Sequence, residues 1–185
     1  MPDAPNVPGV SRNVGVTAQS TAAPGWWRWL VIAGAVIVLD LATKAWITSA
    51  FQLGESLRVT PFFNLVLVHN TGAAFSFLAD AGGWQRWFFT GIAVAISLAL
   101  LVLLPRQKND WVAAGMALVL GGALGNLWDR VTLGKVVDFV QLHAAGYSWP
   151  AFNVADSAIT VGVLLLLVDG LRPKDSGAAP HEEKA

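Results

Sequence analysis

Phe152-Asn-Val-Ala-Asp-Ser-Ala-Ile-Thr-Val-Gly-Val-Leu-Leu-Leu-Leu-Val168 sets one aspartate, Asp156, at the mouth of an apolar run from Ala158 to Val168. A run of that composition belongs in a bilayer, and a carboxylate at its edge is costly unless it has a task. Upstream, Val136-Val-Asp-Phe-Val140 holds a second aspartate, Asp138, between apolar neighbours. A short loop separates the two, so both can reach one polar pocket. Two carboxylates in a low-dielectric site can share a proton, one acting as base and the other as acid. That is sufficient equipment for hydrolysing an amide with water.

Working outward, the rest of the chain has the same character. Of its 185 residues 55% are hydrophobic and 13% charged, with nine tryptophans. This is a membrane composition. Lys plus Arg equals Asp plus Glu at 12 each, and there is no basic block, which sets nucleic acid aside as a partner. The chain has no cysteine, which excludes disulfides and thiol chemistry. Its histidines, His69, His143 and His181, show no metal-binding spacing, so no metal and no cofactor is expected.

The pattern predicts an all-α membrane protein: four transmembrane helices with a small extracytoplasmic β-sheet cradle. Residues 1–25 read as a disordered tail rich in Pro, Ala, Gly and Ser. A membrane domain over 26–172 has spans at about 26–47, 87–104, 111–128 and 153–171, each long enough for a core of ~30 Å at ~1.5 Å per residue. Residues 173–185 read as a second disordered tail. Thr48-Ser49-Ala50 looks like a signal-peptide cleavage site, but the preceding run is long and carries Asp40 and Lys44, so it is expected to stay as an anchor. In the loop 49–85, Arg58–Thr60 and Phe62–His69 are rich in β-branched and aromatic residues, and Asn70-Thr71-Gly72 supplies a turn. The second extracytoplasmic loop spans 129–152.

Several polar groups stand out against this background. Asp40 and Lys44 are four apart on one helix face and can pair, either to neutralise each other or as the floor of an active site. Asn70 and Gly72 form either a simple turn or a clamp for an extended peptide. Gly121, Gly122 and Gly125 allow a neighbouring helix or a substrate helix to pack closely. Asn126 and Asp129 lie one turn apart, and Arg130, next to Asp129, is its expected partner, which ranks Asp129 below Asp138 as a catalytic candidate. Asp169 is expected to be capped by Arg172 and Lys174.

Basic residues beside the spans set the orientation. Arg12, Arg28, Arg106, Lys108, Arg172, Lys174 and Lys184 fall on one side, against Arg58, Arg86, Arg130 and Lys135 on the other. The first group belongs in the cytoplasm. Both termini are then inside, and both candidate aspartates lie at the outer face.

Asp40-x-x-x-Lys44, Asn70-Thr-Gly-Ala-Ala-Phe75, Gly121-Gly-Ala-Leu-Gly-Asn-Leu-Trp-Asp-Arg130, Val137-Asp-Phe139 and Phe152-Asn-Val-Ala-Asp-Ser157, in that order and spacing, resemble the bacterial lipoprotein signal peptidase family, signal peptidase II. The resemblance covers about residues 26–172. It implies an aspartyl endopeptidase of the bacterial inner membrane with its active site toward the periplasm. The implied substrate is a diacylglyceryl-modified prolipoprotein, cut just before the lipidated cysteine. It puts the catalytic pair on Asp138 and Asp156, and gives substrate-binding or supporting roles to Asp40, Lys44, Asn70, Gly72, Gly122, Asn126, Asp129, Arg130, Asn153 and Ala155. Membrane lipid and peptide-like inhibitors such as globomycin are the other implied partners. A lipid phosphatase would want a metal cluster or more cations near the site. The remaining alternative, a small transporter or scaffold with intramembrane aspartates, is opposed by the lack of an inverted repeat.

Overall fold

A computed structural model of the chain describes residues 22–72 and 82–172. Among these, four helices are long and apolar enough to cross a membrane: α1 (Trp27–Ala50), α2 (Trp84–Leu103, continued by a 3-10 turn over Leu104–Arg106), α3 (Asp110–Thr132) and α4 (Val154–Leu171). A four-stranded antiparallel sheet, order β1-β2-β3-β4, is built from β1 (Ser56–Thr60), β2 (Phe63–Asn70), β3 (Val136–Ala144) and β4 (Tyr147–Ser148). The expected membrane helices and small sheet are thus both present.

α3 is the central helix. Of its most apolar stretch 56% is buried, against 22%, 17% and 17% for α1, α2 and α4, whose outer faces carry exposed Leu, Val, Ile and Trp. Its glycines explain why two neighbours, α1 and α4, can approach it so closely. A Cβ on Gly121 would lie 2.7 Å from the Ala33 carbonyl of α1, one on Gly115 2.9 Å from the Gly162 carbonyl of α4, and one on Gly122 would overlap the Ala155 carbonyl. The close packing read from these glycines is therefore with the chain's own α1 and α4; at Gly122 no room remains for a substrate helix. Backbones that touch in this way gain dispersion contacts that lipid cannot supply.

The helices start or end within a few residues of the expected spans, and three of them are longer at the end that carries the sheet. α1 runs to Ala50, α2 begins at Trp84 and α3 reaches Thr132, so each extends beyond its apolar core. Polar residues in the extra turn of α3 have partners on other elements, and Arg86 closes its C-terminus by donating to the Arg130 and Val131 carbonyls, both at 2.8 Å. The loop 129–152 contains β3 and β4. Asp138 sits on β3 opposite Val68 of β2, and the bridge Val140–Phe152 pins the far edge. Alternation on β3 turns Val137 and Phe139 toward Ile47 and Leu67, a cluster that fastens the sheet to the end of α1. The opposite face, with Val136, Asp138 and Leu142, is turned to the functional site.

Candidate active site

Asp156 is held by helix chemistry. Asn153 caps α4 and Asp156 is the third residue in: the Asp156 N–H donates to Asn153 Oδ1 (2.9 Å) and the Asn153 N–H donates to Asp156 Oδ2 (3.2 Å). This reciprocal capping box fixes the carboxylate at the helix mouth. Asp138 is held by strand pairing. Its Oδ1 accepts from Asn153 Nδ2 (2.7 Å) and its Oδ2 from Asn70 Nδ2 (3.1 Å), while Asn70 Oδ1 takes the Gly72 N–H. The Asn70–Gly72 segment is therefore a turn and a wall of the site at once. Asn153 touches both aspartates, one through its main chain and one through its side-chain amide.

Beneath the pair lies a dry ionic floor. Lys44 Nζ pairs with Asp40 Oδ2 at 2.7 Å and Asp129 Oδ2 at 3.0 Å and donates to Asn126 Oδ1 at 3.0 Å. Lys44 and Asp129 are each 3% exposed and Asp40 is fully buried. The other oxygen of Asp40 accepts the Ala155 N–H (2.9 Å), and Asp129 Oδ2 also accepts the Val137 N–H (3.1 Å). A Cβ on Gly125 would stand 2.6 Å from Asp40 Oδ2, so only glycine leaves room for this carboxylate. Asn126 connects floor and pair by donating from Nδ2 to Asp156 Oδ1 at 2.8 Å.

The partner expected for Asp129 is wrong. Arg130 points the other way, donating to the Gly72 carbonyl at 3.3 Å and lying over the Phe89 ring at 5.6 Å, while Asp129 is bound by Lys44. Adjacent residues on a helix diverge by ~100°, so Asp129 faces inward to α1 and Arg130 faces the cavity. Asp169 likewise takes the Asn109 amide (2.7 Å), and Arg172 lies over the Trp111 ring; Lys174 falls outside the described residues.

Four carboxylates, Asp40, Asp129, Asp138 and Asp156, meet two cations, Lys44 and Arg130. Burial, followed by repulsion from Asp156, raises Asp138 to about 7, against the lowering by its amide donors and Lys44. Near neutral pH Asp138 can hold a proton. Among the described residues no group of three or more His, Cys, Asp or Glu is placed to hold a metal ion.

Over Asp156, with Asp138 buried beside it, opens a cavity of about 620 Å³. Asn70, Asn126, Arg130 and Asp156 form its polar head, and Val136, Leu142, Phe152, Ile159 and Val161 its apolar walls. The sequence reading did not include these apolar residues. The period-2 series Val136, Asp138, Val140, Leu142 could have revealed the strand that aligns them. The structure brings together Asp40, Lys44, Asn70, Gly72, Asn126, Asp129, Arg130, Asp138, Asn153, Ala155 and Asp156; Gly122 contributes one helix contact away, against Ala155. Ala73–Phe75 of the second motif lie outside the described residues.

The profile described as Signal peptidase (SPase) II matches residues 32–172. The chain belongs to this family. It is a multi-pass membrane peptidase that removes signal peptides. It is 52% identical over 156 residues to the lipoprotein signal peptidase of Ralstonia nicotianae, covering 84% of this chain and 90% of that one. The corresponding protein of an Azoarcus species is 55% identical over 158 residues, with 85% and 87% covered. Two solved bacterial membrane enzymes, determined in meso, superpose with TM-scores of 0.71 and 0.72 at 35% and 33% identity. They are matched over 94% and 99% of their lengths and 82% and 84% of this chain.

Proposed function

We propose that the chain is an aspartyl endopeptidase in which Asp138 and Asp156 activate water to cut a prolipoprotein just before a diacylglyceryl-modified cysteine. The observation that carries this reading is the junction at Asn153. One buried residue ties carboxylates from a strand and a helix together at the head of an apolar cavity. With the proton of the pair on Asp138, Asp156 takes a proton from water. The oxygen attacks the scissile carbonyl while Asp138 donates to the carbonyl oxygen. Return of a proton to the leaving nitrogen breaks the C–N bond, and no covalent enzyme intermediate forms. Asn126 and Asn153 are committed to the aspartates and to Lys44. Arg130 lines the cavity and among the described residues spends its guanidinium hydrogens only on the Asn126 and Gly72 carbonyls, which makes it the better donor to the developing oxyanion.

The apolar walls suit acyl chains. A second hollow of about 250 Å³ shares Val161 with the cavity and continues along α4 through Leu164, Leu165 and Val168 to Arg172. At ~1.5 Å per residue the track is about 24 Å long from Asp156 to Arg172, enough for most of a signal helix in the bilayer. Peptide-like inhibitors such as globomycin would compete in the upper cavity, and membrane lipid would fill it when substrate is absent. The basic-residue count supports a bacterial inner-membrane location with both termini cytoplasmic and the site toward the periplasm.

Cleavage of a purified diacylglyceryl-modified precursor, normalised to folded enzyme, tests the pair. Asp138→Asn and Asp156→Asn should each lower turnover by at least about 100-fold while leaving the fold intact. The assignment fails if Asp138→Asn still turns over while Asp129→Asn is folded and dead.

A further inference from the structure

Lys44 touches neither Asp138 nor Asp156, yet the groups it holds touch Asp156 and the residue before Asp138. An ammonium only donates, so its 3.0 Å contact dictates that Asn126 presents Oδ1 to Lys44. The amide nitrogen must then face Asp156, where it donates at 2.8 Å. Asn153 Nδ2 meets the same Asn126 oxygen at 3.2 Å and Asp138 at 2.7 Å. On a separate path, the Asp129 oxygen that binds Lys44 takes the N–H of Val137, the residue before Asp138. One buried cation thus orients the amide beside one aspartate and anchors the strand that carries the other.

We propose that Lys44 is a positioning residue for the peptidase reaction, holding Asn126 in the orientation that serves Asp156 and, through Asp129, holding β3 in the register that serves Asp138. This rests on the assignment of Asp138 and Asp156 as the reacting pair. It differs from a purely structural salt bridge in what it predicts for catalysis. Loss of the lysine acts first on the chemical step, because Lys44 itself does not line the substrate cavity.

A pH profile separates the two roles. Asp138 interacts with Asp156 of α4, Arg130 of α3 and Lys44 of α1, with Asp40 and Asp129 on the far side as partners of Lys44, and on β2 His69 pairs with Val137. Lys44 is among the groups that lower it, so removing that charge should raise the pH of the limb belonging to Asp138. Asp40→Asn keeps Lys44 and removes one of its counter-charges; the same limb should move down.

The experiment measures kcat and KM against pH for the full-length enzyme in lipid, using the diacylglyceryl-modified precursor. The variants are Lys44→Met/Asp40→Asn, which removes Lys44 together with one of its two carboxylate partners, and Asp40→Asn alone. For the double variant kcat should fall by about 100-fold, as for displacement of a reacting group by ~1 Å, with KM within a factor of about two. A folded double variant with wild-type kcat, or one whose defect lies wholly in KM, overturns the proposal. Should the double variant not fold, Asp40→Asn decides: a limb that stays in place or moves upward overturns it. Failure of the pair itself would appear separately, as activity retained in Asp138→Asn.

Discussion

The two ends of the helix bundle use the same chemistry under opposite conditions. At the site end, Lys44 binds Asp40 and Asp129 with side chains no more than 5% exposed. At the other end, Arg28 binds Asp110 with 51% and 69% of those side chains exposed, the Asn109 amide holds Asp169, and the Ala23 N–H bonds the Pro105 carbonyl. Solvated pairs align helix ends at little gain because water competes for each partner. The dry pair is different. Neither charge can return to water without opening the bundle, so each is committed to its partners, and the groups bonded to them inherit that order. A rigid reacting pair needs the second kind of environment, and the cost of creating it is borne by α3, whose glycines bring α1 and α4 into contact.

Breaking the comparison at its strong end should give the largest change in stability. Lys44→Met leaves two buried carboxylates without a cation and should destabilise the fold by about 3–5 kcal/mol, read as lost folded protein in detergent. Adding Asp40→Asn should recover much of that loss; no recovery would mean that the site end is held by packing alone. A smaller effect concerns the pH dependence of stability. Asp138 titrates in the folded protein near 7, above its ordinary value of 3.8, so the folded state binds its proton more tightly than the unfolded chain does. Its stabilising contribution is fully present below about pH 4 and is lost as pH rises through about 7. Thermal unfolding of Asp138→Asn should therefore lose less stability than wild type between pH 5 and pH 8, and equal slopes would place the proton elsewhere. At the weak end, Arg28→Gln should change stability by less than about 1 kcal/mol, and less still at high salt. A larger loss would mean that the solvated end also organises the bundle.

The membrane helices were legible because an apolar run of that length has one stable environment. Asp138 and Asp156 were legible as a pair because carboxylates among apolar neighbours are rare and close in the chain. Legibility stopped where partners are distant. Arg130 was matched to Asp129 by adjacency, whereas the helix turns adjacent side chains apart and delivers Asp129 to Lys44 across α1. β3 was missed because its valines and Phe139 were weighed as neighbours of Asp138 and not as an alternating strand. The apolar walls of the cavity come from β3, the Phe152 bridge and α4, which no local pattern joins.

The sequence by itself determined the solvent of this protein, the number of its spans and the residue types available for chemistry, since all three follow from transfer energies and side-chain pKa values that local composition carries. Only the tertiary structure decided which cation serves which carboxylate and which amide oxygen faces which donor. Those choices depend on helix crossings set by close backbone contact at Gly115, Gly121, Gly122 and Gly125, and on a strand register 68 residues from its partner turn at Asn70. In a medium without water, a polar group is defined by the partner that geometry brings to it.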